Sequence, residues 1–150
     1  MRRTAATIAR RVDELSQLCR DAGMNVTPQR LAIYRELLEA DDHPSPETLH
    51  RRIRTAMPSI SLATIYKAFD ALERLGLVQE VSVLSATKRY DANMEKHHHL
   101  VCTRCKRVID FEDARLDAAW PSSGLHGFRP QSISVQILGL CADCGKRKRG

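Results

Sequence analysis

Residues 45–76 read SPETLHRRIRTAMPSISLATIYKAFDALERLG, and this stretch decides the N-terminal fold. Ser45-Pro46-Glu47 is a helix start: a capping hydroxyl, a proline suited to the first helical position and an acid in the first turn. The helix it opens runs through Leu49, Ile53, Ala56 and Met57 and stops at Pro58. After the turn Pro58–Ser61 a further helix runs from about Leu62 to Leu75 and ends at Gly76. Leu62, Ile65, Ala68, Phe69, Leu72 and Leu75 share one face of it at the helical period. The outward face carries Ala63, Lys67, Asp70 and Arg74, with Thr64 and Tyr66 at its border.

Two more helices precede this pair. One lies near 5–22, with Ile8, Val12, Leu15 and Leu18 as its stripe and Gly23 after its end. The next starts at Thr27-Pro28, runs to about Ala40 and turns Leu31, Tyr34, Leu37 and Leu38 inward. On the other side, Val78–Leu84 and Thr87–Asp91 read as two short strands around a polar turn. Helix, turn, helix and hairpin in that order make a winged helix-turn-helix pattern. Beyond Asp91 the texture changes. Strand-like pieces at His97–Val101 and Arg107–Phe111 flank a Cys-x-x-Cys, a short helix lies near Ala114–Trp120, and Ile133–Leu140 reads as a strand before a second Cys-x-x-Cys. The expected fold class is α+β: a winged-helix domain over residues 1–88 and a C-terminal α/β domain over 89–150, with a hinge about 85–96.

A chain of 150 residues, 43% hydrophobic and 28% charged, has room for one or two small domains and excludes a large enzyme architecture. Lys and Arg total 24 against 18 Asp and Glu, and this net charge of +6 favours nucleic acid, a membrane surface or an acidic partner. The excess is divided about evenly between the two halves, and the run Lys146-Arg147-Lys148-Arg149 reads as a solvated end. No apolar run approaches the ~20 residues of a membrane span. The basic start Met1-Arg2-Arg3 leads into no apolar signal-peptide core, so a cytoplasmic protein with reduced thiols is expected.

Under reducing conditions, cysteines in spaced pairs point to a metal. Cys102-Thr-Arg-Cys105 and Cys141-Ala-Asp-Cys144 repeat one spacing, with 35 residues between them. A two-residue gap turns both sulfurs of a knuckle towards one cation, and two knuckles complete a tetrahedral S₄ set for structural Zn²⁺. Such a staple suits a C-terminal domain with a thin core. Cys19, in the first helix, reads as a small buried residue. The run His97-His98-His99 puts His97 and His99 on one strand face and His98 on the other. With Asp91, Asp110 and His43, the two imidazoles could form an N/O site for Mn²⁺, Fe²⁺ or Zn²⁺. A solvated histidine face and an ordinary His43-Pro44 turn are the plainer readings of the same residues.

The stretches Val26-Thr-Pro-Gln-Arg30, Ser61-Leu-Ala-Thr-Ile-Tyr66, His97-His-His-Leu-Val-Cys102-Thr-Arg-Cys105 and Cys141-Ala-Asp-Cys144 resemble the ferric uptake regulator family over about residues 10–145. The resemblance implies a homodimeric, metal-dependent transcription repressor with a winged helix and a dimerisation domain. It also implies structural zinc on the four cysteines. Its peroxide-sensing branch uses three His and two Asp for Fe²⁺ or Mn²⁺, which fall on His43, Asp91, His97, His99 and Asp110. Asp110 stands where iron sensors usually carry Glu, and Ile133 where they often carry His. In that branch, bound Fe²⁺ and hydrogen peroxide oxidise a ligand histidine and DNA is released. Here the candidates are His43 and His97. His98 departs from the family pattern and is a further ligand candidate, and His126 is a candidate for another metal site.

The resemblance also implies a palindromic double-stranded DNA operator, with Tyr66 packing on thymine methyls from the recognition helix. Ser61, Ala63, Thr64 and Lys67 share that helix end, while Arg30, Arg10 and Arg11 would meet phosphates or the minor groove. Iron, manganese or zinc uptake regulation on the same scaffold is the alternative. A small metalloenzyme is a distant one, since the sequence offers no separate general base or nucleophile set in an evident substrate loop.

Overall fold

The computed structural model describes residues 3–81, 88–118, 123–130 and 133–146. The expected strand ends at Ser82–Leu84 and Thr87, the helix end at Trp120 and the basic residues Arg147–Arg149 lie outside the described residues. The chain divides into two compact units, Met1–Met94 and Glu95–Gly150. The strand carrying Asp91 lies within the first unit, where it pairs with the strand Gln79–Val81.

In the first unit, α1 (Ala5–Asp21), α2 (Pro28–Glu39), α3 (Pro46–Ile53) and α4 (Leu62–Arg74) precede an antiparallel hairpin of β1 (Gln79–Val81) and β2 (Arg89–Asp91). Every helix starts on a hydroxyl cap. Thr4, Thr27, Ser45 and Ser61 each accept a hydrogen bond from the backbone N–H three residues on. The inward stripes close one core around Leu15, Ile33, Tyr34, Leu37, Leu49, Ile65, Phe69 and Leu72. Each such side chain contributes roughly 1.5–3 kcal/mol by leaving water. Cys19 is fully buried among them. The Tyr90 ring stacks on Phe69 with centroids 4.0 Å apart, which fixes the hairpin against α4.

α3 ends at Ile53, four residues short of the expected end at Met57. Pro58 disfavours helical geometry for Met57, so the chain turns earlier and leaves Ala56 exposed. The His50 ring closes that turn on the Ile60 carbonyl at 2.9 Å.

The second unit holds a three-stranded sheet of order β4-β3-β5, from β3 (His98–Cys102), β4 (Val108–Phe111) and β5 (Gln136–Gly139). β4 pairs antiparallel and β5 parallel to β3. β5 is shorter than the expected strand Ile133–Leu140, because only Gln136–Gly139 finds partners on β3. The single-turn helix α5 (Ala114–Asp117) precedes β5. An unanticipated helix, α6 (Ala142–Lys146), carries the second cysteine knuckle. Among the described residues, no helix is long and apolar enough to cross a membrane.

Candidate metal centres

The four sulfurs of Cys102, Cys105, Cys141 and Cys144 all lie within 4.8 Å of one another. Cys105 Sγ and Cys141 Sγ are 3.7 Å apart, and a tetrahedral Zn–S₄ group with bonds of about 2.3 Å has edges of about 3.8 Å. The first knuckle turns through Lys106, whose φ of +62° lets its N–H reach the Cys102 carbonyl at 2.9 Å. The second arrives where Thr103 N–H donates to the Gly139 carbonyl at 2.8 Å, joining the end of β5 to the first knuckle. The N–H groups of Cys141 and Cys105 donate to Cys102 Sγ at 3.4 and 3.5 Å. These bonds draw the Cys102 thiol down to about 5, whereas burial, with the neighbouring thiols, pushes Cys144 up to about 12. Four thiolates need a dication to coexist at this spacing, and the donor set fits Zn²⁺.

Strand alternation separates the histidines as expected, but all three are buried, so the solvated-face reading is wrong. His97 Nε2 and His99 Nε2 lie 3.0 Å apart, and Asp110 Oδ1 is 3.6 Å from each. The antiparallel register pairs His99 with Asp110 directly. A point about 2.0 Å from all three atoms exists within this triangle, which matches a metal–imidazole bond. His97 Nδ1 lies 2.7 Å from the Glu95 carbonyl and must donate to it, so Nε2 is the nitrogen that keeps its lone pair. The triangle therefore fits a divalent cation of the Fe²⁺, Mn²⁺ or Zn²⁺ kind.

His98 points elsewhere. Its Nδ1 accepts from Val135 N–H at 3.2 Å, and its Nε2 faces Asp117 Oδ1 at 3.2 Å. Both nitrogens face groups outside the triangle, and His98 is not among the side chains that gather with His97, His99 and Asp110. His126 is exposed in a turn and belongs to no metal-type cluster among the described residues.

The remaining two candidates are in the first unit. His43 Nε2 is 3.5 Å from Asp91 Oδ2, and both side chains are buried. Asp91 Oδ1 accepts from Asn93 N–H at 2.7 Å, so the carboxylate is oriented with its other oxygen towards His43.

On α4, Ala63, Tyr66 and Lys67 are exposed, as is Arg10 on α1. The Tyr66 hydroxyl donates to Glu47 Oε1 on α3 at 2.5 Å, and this bond holds the Glu47 carboxyl below its ordinary range. The Ser61 and Thr64 hydroxyls are joined to each other at the helix cap, 2.8 Å apart. Arg11 and Arg30 make hydrogen bonds within the first unit. Arg11 donates to the Tyr34 hydroxyl at 3.2 Å and the Ala92 carbonyl at 3.3 Å, and Arg30 to the Asn25 carbonyl and Cys19 Sγ. Both guanidinium groups brace their own unit. Sequence reasoning missed two contacts here: Glu47 with Tyr66, and Arg89 with the carbonyls of Asp42 and His43, for which the place of Arg89 two residues before Asp91 on a strand was the available signal.

A winged reading head on the same chain as a thiolate-clamped cation site defines a metal-dependent transcription regulator. The Ferric uptake regulator family matches residues 21–138, and the chain belongs to this family. The members of that family are transcription regulators and not enzymes. The peroxide-responsive repressor PerR of Staphylococcus epidermidis is 30% identical over 139 residues, covering 92% of this chain and 93% of that protein. The ferric uptake regulation protein of Campylobacter jejuni is 30% identical over 141 residues, covering 91% and 90%. A solved zinc-bound manganese uptake regulator aligns with a TM-score of 0.67 at 29% identity, covering 85% of this chain and 98% of that one.

Proposed function

We propose that this protein is a cytoplasmic, homodimeric DNA-binding repressor that senses peroxide through a ligand histidine. The observation that carries this reading is the all-nitrogen-and-oxygen donor chemistry of the buried His97–His99–Asp110 triangle. It contains no thiolate, so it selects harder ions than the four-cysteine site. The His43–Asp91 pair supplies the same donor types, and in this reading all five side chains serve one regulatory Fe²⁺ or Mn²⁺. Cys102, Cys105, Cys141 and Cys144 hold structural zinc. Bound Fe²⁺ would supply the reducing power that activates hydrogen peroxide beside His43 and His97. An imidazole that gains an oxygen is a poorer ligand, and its loss withdraws the bias towards the DNA-binding arrangement.

Dimerisation is supported by an apolar row across the sheet. Leu100 of β3 pairs with Ile109 of β4 and Ile137 of β5, and all three are exposed. DNA reading falls to the exposed end of α4, with Tyr66 for base contact and Lys67 and Arg10 for phosphates. Metal-responsive uptake regulation is the second reading, favoured by the ferric uptake relative at the same 30% identity. The test is DNA binding with Fe²⁺ or Mn²⁺ on a palindrome selected from random duplexes, followed by peroxide. Release with Fe²⁺ alone supports peroxide sensing. Release on metal withdrawal, with indifference to peroxide, supports uptake regulation.

A further inference from the structure

The loop that bears His43 is held in a shape that a histidine before a proline does not adopt freely. His43 has φ +48°, in the left-handed region that costs any residue with a Cβ, and Pro44 biases the preceding residue towards extended geometry. Something must offset that strain. From β2, Arg89 extends one terminal nitrogen to two successive carbonyls of this loop: Asp42 O at 3.4 Å and His43 O at 3.2 Å. Its Nε is buried and has no hydrogen-bond partner among the described residues, a cost accepted to keep the guanidinium there. On the other side, Arg52 of α3 grips the Asp42 carboxylate through both of its oxygens, at 3.0 and 2.5 Å.

Arg89 and Asp91 are two residues apart on β2 and so share a face. One side chain fixes the His43 backbone, and the other lies beside the His43 imidazole at 3.5 Å. We infer that Arg89 is a positioning residue for the regulatory metal: it pins His43 in its left-handed conformation, so that β2 presents His43 and Asp91 as a ready-made ligand pair. This rests on the ligand reading proposed above. Arg89 touches no cation in this account and acts only through the loop. Because β2 is also a strand of the wing hairpin, the same guanidinium ties the ligand pair to the wing.

Electrostatics and positioning predict opposite signs for its removal. Arg89 is a like charge to any metal, so its loss should tighten cation binding if Coulomb repulsion were its only influence. If it positions His43, its loss should weaken binding. The experiment is Mn²⁺ titration by electron paramagnetic resonance of the full-length, zinc-loaded protein in wild-type, R89M, R89Q and H43A forms. Zinc content and helical circular dichroism are recorded in parallel. The expected result is at least tenfold weaker Mn²⁺ binding in R89M, with zinc and helical signal retained. Binding by R89M within twofold of wild type, or tighter, overturns the inference. Should R89M lose its helical signal, R89Q is judged by the same thresholds. If H43A binds Mn²⁺ as wild type does, the ligand reading fails and the role of Arg89 with it. If H43A loses the ion while R89M keeps it, the ligand reading stands and only Arg89 is excluded.

Discussion

His97 Nε2 and His99 Nε2 lie 3.0 Å apart in buried surroundings, on the same face of strand β3 and its lead-in. Two imidazoles at that distance cannot both carry a proton on the facing nitrogens without severe repulsion. Since the Glu95 carbonyl takes the Nδ1 proton of His97, its Nε2 lone pair is directed at the place where a cation fits. Replacing His99 with alanine should therefore weaken Mn²⁺ binding by about 100-fold or more while zinc content stays constant. Mn²⁺ titration with zinc quantification checks this, and an unchanged titration would remove the triangle from the regulatory site.

The cysteine cluster predicts a different failure. Cys102 accepts two backbone N–H groups and unites both knuckles, so C102S should lose its zinc and the order of the second unit. Hydrogen exchange of the whole chain should show the loss within residues 95–146, with the α1–α4 core still protected. C19S should keep its zinc, because Cys19 belongs to that core. Equal zinc loss from both variants would contradict the assignment.

Tyr66 is exposed and held by Glu47, a setting suited to contact with a partner rather than to core packing. Y66A should reduce affinity for the selected palindrome by about 10-fold or more, the range for losing a base-reading contact, and should leave nonspecific binding nearly unchanged. Titrations on specific and random duplexes at one salt concentration decide it. Equal loss on both would make Tyr66 a general affinity residue.

The apolar row Leu100–Ile109–Ile137 gives the dimer its proposed surface. A stable interface takes roughly 800 Å² from each partner, and an arginine in the middle of such a patch would be buried unpaired. L100R should sediment as a monomer at concentrations where wild type is a dimer, with zinc retained. A dimer of unchanged stability would place the interface elsewhere.

Much of this was legible from residue order alone. Capping hydroxyls, prolines and apolar periodicity located all four N-terminal helices, because those signals act within a few residues of one another. The two Cys-x-x-Cys knuckles announced their site for the same reason. The histidines were harder, since alternation separates His98 from His97 and His99 but says nothing about burial. Only the packing reveals that a polar-looking strand lies inside. The carbonyls that Arg11 and Arg30 reach within their own unit were not legible either, because a positive charge near a helix face does not disclose an internal acceptor. Arg89 carries its information in a contact with a loop more than forty residues away, which no local pattern encodes.

The central claim is that the buried His/Asp ligands turn peroxide into a change of DNA binding. Its most direct measurement is peptide mass spectrometry of the Fe²⁺-loaded, DNA-bound protein after a brief exposure to hydrogen peroxide, with the Mn²⁺-loaded protein as control. The account predicts an added oxygen on His43 or His97, in proportion to the DNA released and only with Fe²⁺. Release accompanied solely by oxidation of Cys102, Cys105, Cys141 or Cys144 and loss of zinc, with both histidines intact, would contradict it.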